Sequence, residues 1–292
     1  MIGIIGLGLV GSAICKRFHE KDFQVVGYDI SPEAANQTKR FGVKISRSAE
    51  EVGLLADIVI LLLPDSTQVD LVVEGPKGLL KTIAKNSLII DTTTTDPQAS
   101  AELAKRLKKR CIRFVDASII GSSKEIENGS AVILCGGSKE DIAESKKLTS
   151  VFSKQVFHMG QNGKGAETKL VANLVLGLNR LALAEGLNLG AKIGINSKLL
   201  LEVLQSGAAY SRVMDHKGKR MIDAEFNPPQ ARLAQHHKDV KLILKLAKQN
   251  DTPTPLTTTH EKILNQALIA GLSDLDNSAV IQVLSTLTSN DL

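Results

Sequence analysis

Apolar residues along the first half of the chain fall in short runs, and most runs are followed by a stretch with helical spacing. The runs predict strands at Met1–Ile5, Gln24–Tyr28, Val43–Ile45, Ile58–Leu63, Ser87–Ile90, Arg113–Asp116 and Ala131–Cys135. The stretches between them predict helices at Val10–Glu20, Glu33–Phe41, Val69–Val73 and Ala99–Lys108. Strands alternating with helices of about ten residues build βαβ units and hence a doubly wound parallel sheet. The most apolar run, Ile58–Pro64, is far too short to span a bilayer and reads as a strand buried on both faces.

The pattern changes near Gly160. From Gly165 onward strand-like runs vanish and long helical patterns take over. Glu167–Ile193 reads as one long helix, apolar at Leu170, Leu174, Leu178, Leu181 and Leu189. Small residues at Gly177, Ala184 and Gly190 would admit a close neighbour. Further helices are expected at Ser197–Ser206, Gln230–Asn250, Thr257–Ala270 and Asn277–Thr286, with Pro253, Pro255 and Gly271 as breaks. The chain is therefore expected to be α/β: a doubly wound domain at 1–162, then an all-helical domain at 163–292, joined through the long helix.

Composition narrows the function classes. Aromatic residues make up 3% and Trp is absent, which leaves an aliphatic core and no stacking platform for single-stranded nucleic acid. The net charge of +5 is spread along the chain, and its densest run, Lys105–Arg110, reads as a solvated helix face. Nucleic acid and membrane partners are thus not expected, whereas a mild positive field favours small anions. Three cysteines without a CxxC, and no His pair at metal spacing, point to a reducing compartment and no metal. Met1 leads straight into a strand pattern with no leader, so a cytoplasmic location is expected.

The first strand runs into Gly6-Leu7-Gly8-Leu-Val10-Gly11, which opens a helix, and the next strand ends in Asp29. That context turns a weak GxGxxG into a dinucleotide-binding signal. Gly6 permits the tight turn, Gly8 lets backbone approach a pyrophosphate, and Gly11 lets the helix sit close to the sheet. The helix N-terminus supplies free N–H groups for the phosphates. Asp29 sits where a carboxylate accepts from ribose hydroxyls and repels a 2′-phosphate, so NAD is favoured over NADP. The alternative for Asp29 is a helix N-cap, a role that Ser31 fills equally well. Leu63-Pro64 and the tract Asp91-Thr-Thr-Thr94-Thr-Asp-Pro97 end two further strands at the same crevice. The bland reading of the threonines is a capping series for the helix at Pro97.

A second cluster of chemistry follows. Gly163-Lys-Gly-Ala-Glu-Thr-Lys169 opens the long helix, and Asn173 lies four residues on, on the same face as Lys169. A lysine beside an asparagine after a Gly-rich turn suits an anion and a hydroxyl, although a lone helix lysine is more often simply solvated.

These ordered motifs together resemble the β-hydroxyacid dehydrogenase family over essentially the whole chain. Gly6–Gly11 matches the cofactor loop, Asp91–Pro97 the stretch that brings Thr94 to the nicotinamide, and Asp116–Gly137 the substrate signature. Gly163-Lys-Gly-x-x-x-Lys169-x-x-x-Asn173 matches the catalytic signature, and Lys238-Asp-Val and Gly271–Val280 are further landmarks. The resemblance implies a Rossmann-type cofactor domain, hydride transfer between NAD(P) and a small anionic hydroxy acid or semialdehyde, and a homodimer or homotetramer. It makes Lys169 the general acid/base and Asn173 its partner. Lys238 joins the cofactor residues and is a candidate for the second positive charge that, with burial, lowers a lysine from about 10.4 towards about 7–8.

The chain departs from the family in the substrate signature. Asp-Ala-Pro-Val-Ser-Gly-Gly becomes Asp116-Ala-Ser-Ile-Ile120-Gly121-Ser122. Ile120 has lost the serine hydroxyl expected to meet the substrate acid group, which leaves the backbone N–H groups of Gly121 and Ser122, or a shifted hydroxyl from Ser122. Loss of one such contact costs about 1.5–3 kcal/mol. Two other readings remain open at this level. An imine reductase-like enzyme shares the architecture but generally lacks the lysine, and a non-catalytic cofactor-binding scaffold would need neither Lys169 nor Asn173.

Overall fold

In the computed structural model, which describes residues 1–286, the chain forms two compact units, Met1–Lys169 and Leu170–Leu292. The last six residues of the predicted 163–292 domain lie outside the described part.

The first unit is built on one sheet. Its strands are β1 (Ile2–Ile5), β2 (Val25–Tyr28), β3 (Lys44–Ile45), β4 (Ile58–Leu61), β5 (Leu88–Asp91), β6 (Arg113–Ile120), β7 (Ala131–Gly136) and β8 (Ser153–Gly160). They lie in the order β3-β2-β1-β4-β5-β6-β7-β8, all pairs parallel except β6/β7. The central strands are apolar at successive positions because both faces are covered. Ile2, Ile4, Ile60, Leu88 and Ile90 face one core, which holds Ala13, Ile14, Cys15 and Phe18 of α1 (Leu9–His19). Ile5, Val59, Leu61 and Ile89 face the other. That second core is closed by α3 (Ala49–Leu55), α4 (Ser66–Glu74) and α5 (Pro97–Lys108), while α2 (Pro32–Thr38) follows β2. The short α6 (Ser123–Glu127) and α7 (Lys139–Thr149) complete the unit's set before the long helix.

Three features depart from the expected elements. The strand predicted at Arg113–Asp116 continues to Ile120 and pairs antiparallel with β7, Ile120 opposite Val132. Strand β8 was not expected: it is an edge strand in which Ser153 alone is buried, so it has no apolar period to read. Helices α3, α6 and α7 were also not expected. The N-caps of α3 and α7 are Ser48 and Ser138, whose hydroxyls accept from the N–H groups of Glu51 and Asp141.

The second unit is helical. It holds most of α8 (Lys164–Lys192), then α9 (Ser197–Ser206), a π turn at Met214–Gly218, α10 (Lys219–Ile222), α11 (Leu233–Gln249), α12 (Pro255–Ile269), a 3-10 turn at Asn277–Ala279 and α13 (Val280–Thr286). Leu181, Leu183, Ala184 and Leu187 of α8 share one core with Leu233, Val240, Ile263, Leu264 and Val280. By length and composition alone α8 is apolar enough to cross a membrane, and 44% of its apolar window is buried inside the protein. Its small residues do admit close neighbours. A Cβ on Gly190 would sit 2.3 Å from Leu200 Cδ2, and one on Gly177 within 3.0 Å of two histidine rings.

The buried stripe of α8 is rotated from the apolar one that the sequence shows. Leu170 and Leu181 are buried as expected, but the buried face also takes in Asn173, Gly177, Arg180, Leu183, Ala184 and Leu187, so it includes two strongly polar side chains. Leu189, expected inside, is exposed.

Candidate active site

Strand order reverses beside β1. The chain leaves β1 for β2 and β3 on one side and returns to β4 on the other, so a crevice opens beyond the carboxyl ends of β1 and β4. Gly6 follows β1 with φ +97°, and a Cβ there would lie 2.1 Å from the Leu62 carbonyl oxygen after β4. A Cβ on Gly11 would lie 2.0 Å from the Gly6 carbonyl oxygen. Both glycines are therefore required by the fold itself. Gly8 is different: it has φ −63° and is the N-cap of α1, and an added Cβ would meet nothing within 4 Å. The protein leaves open space above Gly8, beside first-turn N–H groups that helix geometry leaves without partners. A dinucleotide pyrophosphate fits that cradle.

Asp29 buttresses the loop. Its Oδ2 accepts from the Leu7 N–H at 2.6 Å and its Oδ1 from the Ser31 N–H at 2.7 Å. Ser31 takes the N-cap of α2. Leu7 points into the core, with 1% of its surface exposed, and Val10 packs against the same core. Leu63 donates its N–H to Thr93 Oγ1 at 3.0 Å. Among the four threonines, Thr92, Thr93 and Thr95 are buried and only Thr94 is partly exposed. The cap of α5 is Asp96, so the threonines are not its capping series.

At the end of β6, Gly121 has φ +147° and is exposed. Ser122 caps α6: its hydroxyl accepts from the Glu125 N–H, and its own N–H donates to Glu125 Oε2 at 2.9 Å. The Ser122 donors expected to meet a substrate acid group are thus engaged by a carboxylate in this structure. Ile120 is partly buried.

Asp116, not singled out from the sequence, starts the long helix. It is 1% exposed; Oδ1 accepts from the Gly163 N–H at 2.8 Å and Oδ2 from the Ala166 N–H at 3.1 Å. Burial pushes its carboxyl up to about 6, against the pull of those N–H groups. Gly163 has φ +94°, and a Cβ on Gly165 would lie 2.5 Å from the Leu134 carbonyl oxygen. The Gly-rich turn is therefore what allows α8 to start against the sheet, and Lys169, partly buried, follows at its second turn.

Asn173 lies one turn beyond Lys169 and is 8% exposed. Its Nδ2 donates to Asp239 Oδ2 at 3.1 Å, and Asp239 Oδ1 lies 3.6 Å from Lys238 Nζ. Asp239, the second residue the sequence reasoning passed over, thus links two of the residues it did choose. The signal was its place beside Lys238. The charge of Lys238, expected as a second cation for a lysine, is answered by this carboxylate. Among the described residues no group of His, Cys, Asp and Glu could hold a metal ion.

Residues 1–160 match the model of the NAD binding domain of 6-phosphogluconate dehydrogenase. Residues 163–284 match that of the NAD-binding domain of NADP-dependent 3-hydroxyisobutyrate dehydrogenase. The chain is 31% identical to glyoxylate/succinic semialdehyde reductase 1 of Arabidopsis thaliana, over 96% of this chain and 97% of that one. It is 29% identical to 2-(hydroxymethyl)glutarate dehydrogenase of Eubacterium barkeri, over 98% and 95%. The solved 3-hydroxyisobutyrate dehydrogenase of Salmonella typhimurium shares its fold, with a TM-score of 0.89 at 24% identity over 97% and 99% of the two chains. With cofactor-domain geometry and both family matches in agreement, the chain belongs to the β-hydroxyacid dehydrogenase family and is an NAD(P)-dependent oxidoreductase of CH–OH groups.

Proposed function

We propose that this chain interconverts a short β-hydroxy acid and its semialdehyde or keto partner, with Lys169 as general acid/base and NAD as the preferred cofactor. The observation that carries the reading is the Lys169–Asn173 pair, on a helix pinned at its start by Asp116 and held at Asn173 by Asp239. A bound nicotinamide would supply the hydride in reduction and accept it in oxidation. In reduction, Lys169 Nζ gives a proton to the substrate oxygen as negative charge develops there, and in oxidation it takes the hydroxyl proton. Asn173, with one amide proton committed to Asp239, directs the rest of its amide at the same oxygen. The turn Ile120–Ser122 meets the acid group once Glu125 gives up the Ser122 donors, with Ile120 admitting a larger or more apolar substrate than a serine would. Residues 1–162 hold the dinucleotide through Gly6–Gly11, Asp29, Leu63, Pro64 and Thr94, and residues 163–292 hold the substrate and build a homo-oligomer. A spectrophotometric screen of NADH and NADPH against short semialdehyde acids tests the reaction; no oxidation of either cofactor by any of them would sink it.

Two expectations concern the cofactor. Gly8→Ala meets open space and an allowed backbone, so folding stability should change by less than about 1 kcal/mol. The methyl group would occupy the cradle, so NADH binding should weaken about tenfold or more, ~1.4 kcal/mol. Unchanged affinity in a fluorescence titration would place the pyrophosphate elsewhere. Gly11→Ala, by contrast, should fail to fold.

If the Asp29 carboxylate meets the ribose, the wild type should bind NADH more tightly than NADPH. Asp29→Asn keeps an acceptor for the Leu7 N–H and removes the charge, so it should narrow that gap. A wild type that prefers NADPH tenfold would overturn the cofactor assignment.

A further inference from the structure

Arg180 lies on the buried stripe of α8, seven residues beyond Asn173, and 5% of it is exposed. Its Nε and Nη1 are enclosed and have no hydrogen-bond partner. Burial lowers the guanidinium to about 10, so it stays charged at neutral pH. A buried charge whose donors lack hydrogen-bond partners is strongly unfavourable. Its neighbours His236 and His260 are 7% and 2% exposed, with ring centroids 5.1 Å apart, and press against α8 where Gly177 has no side chain. Burial first, and then the Arg180 charge, hold both imidazoles below their usual range, His260 at about 4, so neither offers a negative or a positive partner. Asp276 is the carboxylate that acts on Arg180, but its oxygens are taken. They accept from Lys217 Nζ at 2.8 and 2.9 Å, from the N–H groups of Gln230 and Ser278, and from the Ser278 hydroxyl. Arg220 Nε approaches it as well, at 4.0 Å. Arg180, Lys217 and Arg220 therefore face one carboxylate, and the cluster carries excess positive charge around donors that lack an acceptor.

Resting on the reaction proposed above, we propose that Arg180 is a specificity-determining residue that takes the second carboxylate of a dicarboxylic substrate. Seven residues of helix separate Asn173 from Arg180, about 10 Å along the axis. A long side chain on a helix leans back towards its N-terminus, by about one turn or ~5 Å. The remaining ~5 Å is the span from a reacting carbon to the far acid group of a five-carbon diacid. A planar guanidinium with several free donors matches a carboxylate better than a lysine would.

Thermal unfolding of the full chain with glutarate, butyrate or phosphate at matched ionic strength tests the subsite without turnover. Glutarate should raise Tm and butyrate should not, and Arg180→Met, which keeps the volume, should abolish the shift. With NAD, 2-(hydroxymethyl)glutarate and 3-hydroxyisobutyrate give the second readout. Arg180→Met should lower kcat/KM for the diacid about 100-fold and leave the monoacid within about threefold, with Arg180→Lys in between. The inference is overturned if glutarate gives no shift in the wild type, if phosphate gives the same Arg180-dependent shift, or if Arg180→Met leaves the diacid-to-monoacid ratio unchanged. Should Arg180→Met fail to fold, the wild-type contrast between glutarate and butyrate decides. A retained glutarate shift without turnover of any hydroxy acid sinks the proposed reaction and spares the subsite.

Discussion

Lys169→Ala should lower kcat by about 10²–10⁴-fold, the usual worth of a positioned general acid. Hydride transfer leaves alkoxide character on the substrate oxygen, and without the ammonium that charge must be met by water. NADH affinity should hardly move, because the cradle over Gly8 and the Asp29 buttress lie beyond the carboxyl ends of β1 and β2 and not on α8. Folding should survive as well. The start of α8 is fixed by Asp116 through Gly163 and Ala166, and Lys169 takes no part in those bonds. Lys169→Arg should fail too, since Arg stays protonated and exchanges no proton usefully at neutral pH. A Lys169→Ala enzyme that keeps more than half its kcat would return this lysine to the class of solvated helix residues.

Asp91→Asn should stabilise the protein at pH 8 and lose that advantage as the pH falls to 4. Asp91 ends β5, is 1% exposed, and lies opposite Asp116 of β6 in register. Its Oδ1 accepts from the Thr93 N–H at 3.0 Å, while Oδ2 is buried without a partner. Burial pushes its carboxyl up to about 7, and the Asp116 charge adds to the push. The folded value therefore lies above the ordinary 3.8, and the neutral acid is the form the fold prefers. The associated stability is fully present below about pH 4 and is lost as the pH rises towards 7. A rise of about three units corresponds to ~4 kcal/mol. Asparagine keeps the Thr93 bond and carries no charge; its amide donor replaces the orphaned oxygen at a cost of about 1–3 kcal/mol. The net gain at pH 8 should be on the order of 1–3 kcal/mol. Urea unfolding at several pH values reads it out. A difference between variant and wild type that stays flat from pH 4 to 8 would show that Asp91 is ionised throughout.

Much of the first unit was legible because parallel strands covered on both faces read as continuous apolar runs, and turns punctuate them with Gly and Pro. β1, β2, β4 and β5 lie within one or two residues of their expected limits. β8 was not legible, since an exposed edge strand is held by its ladder to β7 and not by buried apolar side chains. The reach of β6 to Ile120 was hidden for a related reason: its last residues are set by antiparallel pairing with β7. In the second unit, helix existence was legible from the 3.6-residue period. The face of α8 was not, because an apolar period assigns polar residues to solvent.

The sequence by itself determined the alternation of strands and helices from β1 to β7, the glycine loop after β1, and the Lys169–Asn173 spacing, since all three are local and follow from period and backbone freedom. It also determined the family, because several spaced motifs coincide in one chain. Only the tertiary structure decided what each polar group meets. It separated Gly6 and Gly11, which the fold itself requires, from Gly8, which it does not. It set Asp116 against Gly163 and Ala166 at the start of α8 and Asp239 against Asn173, partners tens of residues apart in the chain. It turned α8 so that Asn173 and Arg180 are buried with Leu170 and Leu187. The physical reason is one of range. Helix and strand formation depend on neighbours within a few residues, whereas the burial of a charge depends on which distant groups reach it when the chain folds.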